Sequence, residues 1–189
     1  QASRDLAARL DTGGQGEATS ALPEDQFLAW LEARDFQISA LEKGWSVEAA
    51  LHDAQADLAP EALALAGPYL ERYATEVASV PKKALEDAIG TAEPDPASRA
   101  GQFGVSLSAI FRRLSVLGAT QERPAMGFAV CDETGLIGLR KSIDGFPIRR
   151  SGAQDRVWPL YAALARPMAP LREHVRAQGQ YRYPFMVYA

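Results

Sequence analysis

From Pro23 onward the apolar residues recur at the three- and four-residue intervals of amphipathic helices, and beyond Pro124 they change to the alternation and β-branched runs of strands. Pro23, followed by Glu24 and Asp25, predicts a helix start, with Phe27, Leu28, Trp30 and Leu31 as its apolar face to about residue 34. Ser46 predicts an N-cap for a helix over 47–54, with Glu48 in its first turn and Leu51 inward. Pro60 opens a longer helix through Leu63, Leu65, Leu70, Tyr73 and Val77, and Ser79 with Pro81 starts another over Ala84, Leu85 and Ile89. The stretch 93–98, rich in proline and acid, breaks the pattern before a helix over 98–103. Gly104, Val105 and Ser106 then form a turn whose serine caps a helix carrying Leu107, Ile110, Phe111, Leu114 and Leu117.

The second pattern predicts strands at 127–131 and 136–142 joined by a hairpin loop over 132–135, and a short third strand at 146–149. A short helix over 158–164 contains Leu160, Tyr161 and Leu164. Residues 171–177 alternate, with Leu171, Glu173 and Val175 on one side, and after a turn at Gln178 and Gly179 the residues Tyr181, Tyr183, Phe185 and Val187 alternate again. The expected class is α+β: helices first, then a small antiparallel sheet with one packed helix. Three parts follow, a helix end and glycine-rich connector at 1–21, a helical region at 22–118 and an α+β region at 119–189. The start at Gln1 rather than at methionine suggests a piece of a longer protein.

Charge separates the same two regions. Residues 1–126 hold 11 Lys/Arg against 19 Asp/Glu, a net of −8, and residues 127–189 hold 9 against 5, a net of +4. The second region is therefore the better partner for an anion, although the two regions packing together accounts for the same split. No apolar run is long enough to span a bilayer and no leader precedes the first helix, so a cytoplasmic protein without a membrane partner is expected. The single cysteine, Cys131, excludes an internal disulfide framework.

Catalytic signatures are missing. His52 and His174 lie far apart, outside any metal-ligand spacing, and the serine of Gly104-Val105-Ser106-Leu107-Ser108 lacks the second glycine of a nucleophile elbow. Neither an enzyme nor a metal or cofactor protein is expected.

The succession Asp132-Glu-Thr-Gly135, Arg140-Lys-Ser142, Gly145-Phe-Pro147, Arg150-Ser-Gly152, Trp158-Pro-Leu-Tyr161, Ala163-Leu164 and a terminal strand resembles the C-terminal domain of the short-chain fatty acyl transcriptional regulators. That family joins an N-terminal helix-turn-helix of the XRE type to a domain thought to sense short-chain acyl-CoA esters. The likeness covers about a third of the chain. Where the family has cysteine, proline and leucine before the tryptophan, this chain has Asp155, Arg156 and Val157, so no role tied to that cysteine carries over. Tyr69 to Pro81, followed by Phe103-Gly-Val-Ser106 and Arg113-Leu114, more faintly resembles the back half of an ImmA/IrrE-type metallopeptidase domain without its metal-binding histidines, which implies a degenerate scaffold.

The resemblance implies a bacterial regulator module that binds a small effector, forms a homodimer and leaves operator DNA to a domain outside this chain. An acyl-CoA ester needs Arg or Lys for its phosphates and a small apolar pocket for its acyl group. Arg149, Arg150 and Trp158 are the first candidates, with Arg140, Lys141, Phe146 and Tyr161 around them. Trp158 heading an amphipathic helix also suits the core, and arginines at strand ends also suit solvent. Two other readings stand beside this one. The helices over 98–117 have the outline of a helix-turn-helix whose second helix offers Ser108, Arg112 and Arg113 to DNA, and a purely structural interaction domain needs no ligand.

Overall fold

The computed structural model describes residues 22–90, 95–121, 123–146, 148, 159–166, 169–175 and 185–189. Helix α1 (Pro23–Glu32) begins on its proline, and α2 (Ser39–Glu42) is a single turn that apolar spacing had not indicated. Helix α3 (Val47–Ala54) is capped as expected, the Ser46 hydroxyl accepting from the Ala49 N–H at 3.2 Å. The longest helix, α4 (Pro60–Ser79), is the axle of the helical region. It runs through Gly67 and Pro68 because Ala62, Ala66, Tyr69, Leu70 and Tyr73 bury one stripe against α1, α2 and α3, and packing outweighs the lost backbone bond. Leu65, expected on that stripe, lies on the solvent side.

Helix α5 (Lys82–Ile89) follows Val80 and Pro81. Ser79 does not cap it; its hydroxyl bonds back to the Thr75 carbonyl within α4. Helix α6 (Pro96–Phe103) starts two residues earlier than apolar spacing predicts, because Asp95 caps it and Pro96 occupies its first turn. Gly104 closes it in the left-handed conformation at φ +66°, and Ser106 caps α7 (Leu107–Ser115). Val80, Leu85 and Ile89 pack on Ile110, Leu114 and Leu117 as a second apolar cluster.

Strands β1 (Phe128–Cys131) and β2 (Ile137–Lys141) form the expected hairpin, with Phe128 opposite Lys141 and Val130 opposite Leu139. The register shifts between Val130 and Cys131, leaving Gly138 as the extra residue that brings Ile137 opposite Cys131. The bulge decides which side chain faces which way. Phe128 and Leu139 pack on the helical core, whereas Ala129, Cys131 and Ile137 face a third cluster with Phe146, Ile148, Leu160, Tyr161 and Val175. The hairpin is thus a wall shared by the helical region and the elements that follow.

Those elements are α8 (Pro159–Leu164), β3 (Arg172–Val175) and β4 (Phe185–Tyr188). The single sheet expected from the alternation is, among the described residues, two separate antiparallel pairs, β1 with β2 and β3 with β4. Of the expected third strand, Phe146 makes an isolated bridge with Ile143, while 147 and 149 lie outside the described residues, as do 1–21 and the turn at 178–179. The class is α+β with the helices first.

Candidate functional site

Arg140 and Lys141 are neighbours on β2 and therefore leave the hairpin on opposite faces. Arg140 stands opposite Ala129, on the face of the third cluster, and its Nη1 atom is buried without a hydrogen-bond partner among the described residues. Phe146 and Tyr161 pack in the same cluster. A Cβ at Gly135, in the hairpin loop at φ +83°, would lie 2.9 Å from the Tyr161 ring, so α8 sits directly on that loop. The loop is held by Asp132, whose carboxylate accepts from the Thr134 N–H at 2.8 Å, the Thr134 hydroxyl at 2.6 Å and the Leu136 N–H at 3.1 Å. Three of the expected effector residues, Arg149, Arg150 and Trp158, lie outside the described residues.

Lys141 points the other way. It is buried, and its Nζ donates to the Ser115 carbonyl at 2.6 Å and the Asp35 carbonyl at 3.1 Å and pairs with the Asp35 carboxylate at 2.7 Å. A cation satisfied by three oxygens on the helical side has no donor left for an effector on the opposite face, so Lys141 leaves the expected set.

The arginines of α7 are also engaged. Arg113 is 1% exposed; Nη1 and Nη2 donate to the two Glu42 carboxylate oxygens at 2.7 and 3.2 Å, and Nε donates to the Val80 carbonyl at 3.0 Å. The Tyr73 hydroxyl donates to the same carboxylate at 2.6 Å and accepts from the Ile38 N–H at 3.2 Å. This network joins α2, α4 and α7 and satisfies every charge it buries. Burial opposes the charge on Glu42, but the hydrogen bonds from Arg113 and Tyr73, with the nearby charges of Arg113 and Lys82, outweigh it and hold the carboxyl below its ordinary value of 4.5. Burial and the bond to Glu42 push the Tyr73 phenol far upward, and burial pushes Tyr69 up to about 12.

Arg112 binds Glu76 at 2.6 Å. An indentation beside these pairs, bounded by Tyr69, Arg72, Glu76, Arg112 and Phe128, holds about 10 Å³, room for one water. The helix-turn-helix outline of α6 and α7 is real, but of its three expected DNA contacts only Ser108 is exposed and uncommitted to a carboxylate. Arg113 is enclosed by protein and Arg112 is neutralised by Glu76, which removes the phosphate contacts that such a reader needs. Sequence spacing carried one signal of this: Arg113 lies on the apolar stripe of α7, three residues after Ile110 and four before Leu117. Nothing local marked Glu42 as its partner.

Among the described residues no group of His, Cys, Asp and Glu is placed to hold a metal ion. Burial, and then the charge of Asp132, push the Cys131 thiol up, the opposite of an activated nucleophile.

No protein-family model and no curated protein matches the chain. A solved structure does, a Mycobacterium tuberculosis transcriptional regulator, which superposes on 85% of this chain with a TM-score of 0.55 at 20% sequence identity. This chain spans about half, 51%, of that protein's length. At this identity the likeness is one of fold.

Proposed function

We propose that this chain is the effector-sensing, dimerising part of a cytoplasmic bacterial transcription regulator of the short-chain fatty acyl type, and that its effector is a short-chain acyl-CoA or a related metabolite. The observation that carries the reading is the fold shared, over 85% of this chain, with part of the mycobacterial transcriptional regulator. The order of short motifs from Asp132 to Leu164 supports the family, and residues 22–118 act as its degenerate ImmA/IrrE-like scaffold. Operator DNA is met by a separate XRE-type domain.

The outer face of the hairpin supports the ligand class. Arg140 brings an unpartnered Nη1 to a face lined by Phe146 and Tyr161, and a buried guanidinium nitrogen without a partner suits an anionic oxygen. Arg149, Arg150 and Trp158 complete the set in this reading. An effector there regulates only by binding two states of the chain unequally.

A thermal-shift comparison of acetyl-, propionyl- and butyryl-CoA, free CoA and the free acids tests the proposal. At a hundred times the dissociation constant an ester adds about 2.7 kcal/mol, a rise in Tm of about 5–11 °C for a chain of this size. Arg149→Ala with Arg150→Ala weakens the response. Folded protein that no ester stabilises refutes the effector, and a dimer is refuted by the sedimentation mass of a single chain.

A further inference from the structure

The turn after α1 has an unusual backbone. The Phe36 N–H bonds to the Leu31 carbonyl at 2.8 Å, the long closing bond of a Schellman ending, and the position that glycine ordinarily fills is Asp35 at φ +50°. Phe36 follows at φ +60°. Among the described residues these two are the non-glycine positions with positive φ, and a bulky aromatic there persists only where its surroundings over-determine it.

The surroundings are the hairpin. The Phe36 ring is buried and meets Phe128 edge-on at 5.5 Å, and Lys141 Nζ lies 6.0 Å from the same ring. The three Lys141 contacts reach two different elements: the carbonyl and carboxylate of Asp35, and the carbonyl of Ser115, the last residue of α7, where a cation is favoured by the unpaired carbonyls and the helix dipole. A carboxylate in place of the ordinary glycine gives this lysine its counter-ion. One side chain on β2 thus holds both the strained turn and the end of α7.

We infer that Lys141 is the bolt of a conformational latch: while the hairpin is docked, the Asp35–Phe36 turn is held left-handed and α7 is capped, and when Lys141 withdraws the hairpin, the turn and the α7 end are released together. Release lets the turn leave its strained conformation. It also loosens the hairpin ladder, since a two-stranded hairpin is marginal in water and keeps only its outer face packed once Phe128 and Leu139 leave the helical core. The latch goes beyond the regulator reading and needs no effector.

Amide hydrogen exchange on the whole chain tests it. Lys141→Met keeps the stem and loses the three bonds, and it accelerates the Phe36 and Gln37 amides and those of β1 and β2 by about tenfold or more, while Leu58 and Leu63, whose amides bond to the Ala54 and Ala59 carbonyls and touch neither Lys141 nor the turn, keep their wild-type rates. Asp35→Gly removes the carboxylate but takes the left-handed turn freely, so the hairpin amides accelerate and Phe36 does not. Should Lys141→Met fail to fold, Asp35→Asn, which tolerates the turn and loses only the charge, accelerates the same hairpin amides by a smaller factor. Equal acceleration of all amides overturns the latch, because Lys141 then contributes to global stability alone. So does acceleration of the turn with an unchanged hairpin, or no acceleration at all.

Discussion

Removing Glu42 tests how the helical region is held together. In Glu42→Ala the Arg113 guanidinium, 1% exposed, keeps its bond to the Val80 carbonyl but loses both contacts to the carboxylate, and the Tyr73 hydroxyl loses its acceptor. Leaving one member of a buried pair unpaired costs about 3–5 kcal/mol, which for a chain of this size lowers Tm by about 6–20 °C. Arg113→Met costs less: a thioether chain fits the buried site, and the Glu42 side chain, 10% exposed, lies nearer water and can take up a proton. The double variant therefore loses less than the sum of the two singles.

Urea unfolding of the four proteins measures the cycle, and Glu42→Gln, which keeps an acceptor for Tyr73, is the milder version. The pH dependence has a definite sign. Because the folded carboxyl is held below 4.5, its contribution is fully present above that value and is lost as pH falls through the folded pKa. The gap between wild type and Glu42→Gln is constant toward about pH 7 and narrows below 4.5. If Glu42→Ala unfolds within about 1 kcal/mol of wild type, or the single losses simply add, the buried pair is not what joins α2 to α7.

Two further predictions concern the hairpin. A Cβ at Gly127 lies 2.5 Å from the Lys141 carbonyl oxygen, a backbone atom with little room to yield, so Gly127→Ala loses about 1–3 kcal/mol in urea unfolding; a neutral result shows that the strands slide apart freely. The Asp132 carboxyl is held below 3.8 chiefly by the Thr134 hydroxyl, against burial, with help from backbone amides, so the loop is stabilised above 3.8 and loosens as pH falls through the folded value. Proton chemical shifts of the Thr134 and Leu136 amides follow that titration, and in Asp132→Asn they do not.

What was legible along the chain is local. Pro23, Ser46, Pro60 and Ser106 mark helix starts through fixed φ or a hydroxyl within reach of the first turn, and Asp132 to Gly135 marks the hairpin loop through an acceptor and a left-handed glycine, all within a few residues. The change of apolar period after Pro124 fixed the order of helical and strand regions for the same reason. Tertiary structure decided where the charges went. Arg113 and Glu42 are 71 positions apart and Lys141 and Asp35 are 106 apart, so no window of sequence contains both members of either pair. Arg140 and Lys141 look alike in sequence, yet strand pleating sends one to the outer cluster and the other into the helical region. Burial then settled their roles: a cation removed from water must find oxygen acceptors, and Lys141 and Arg113 found theirs inside the protein.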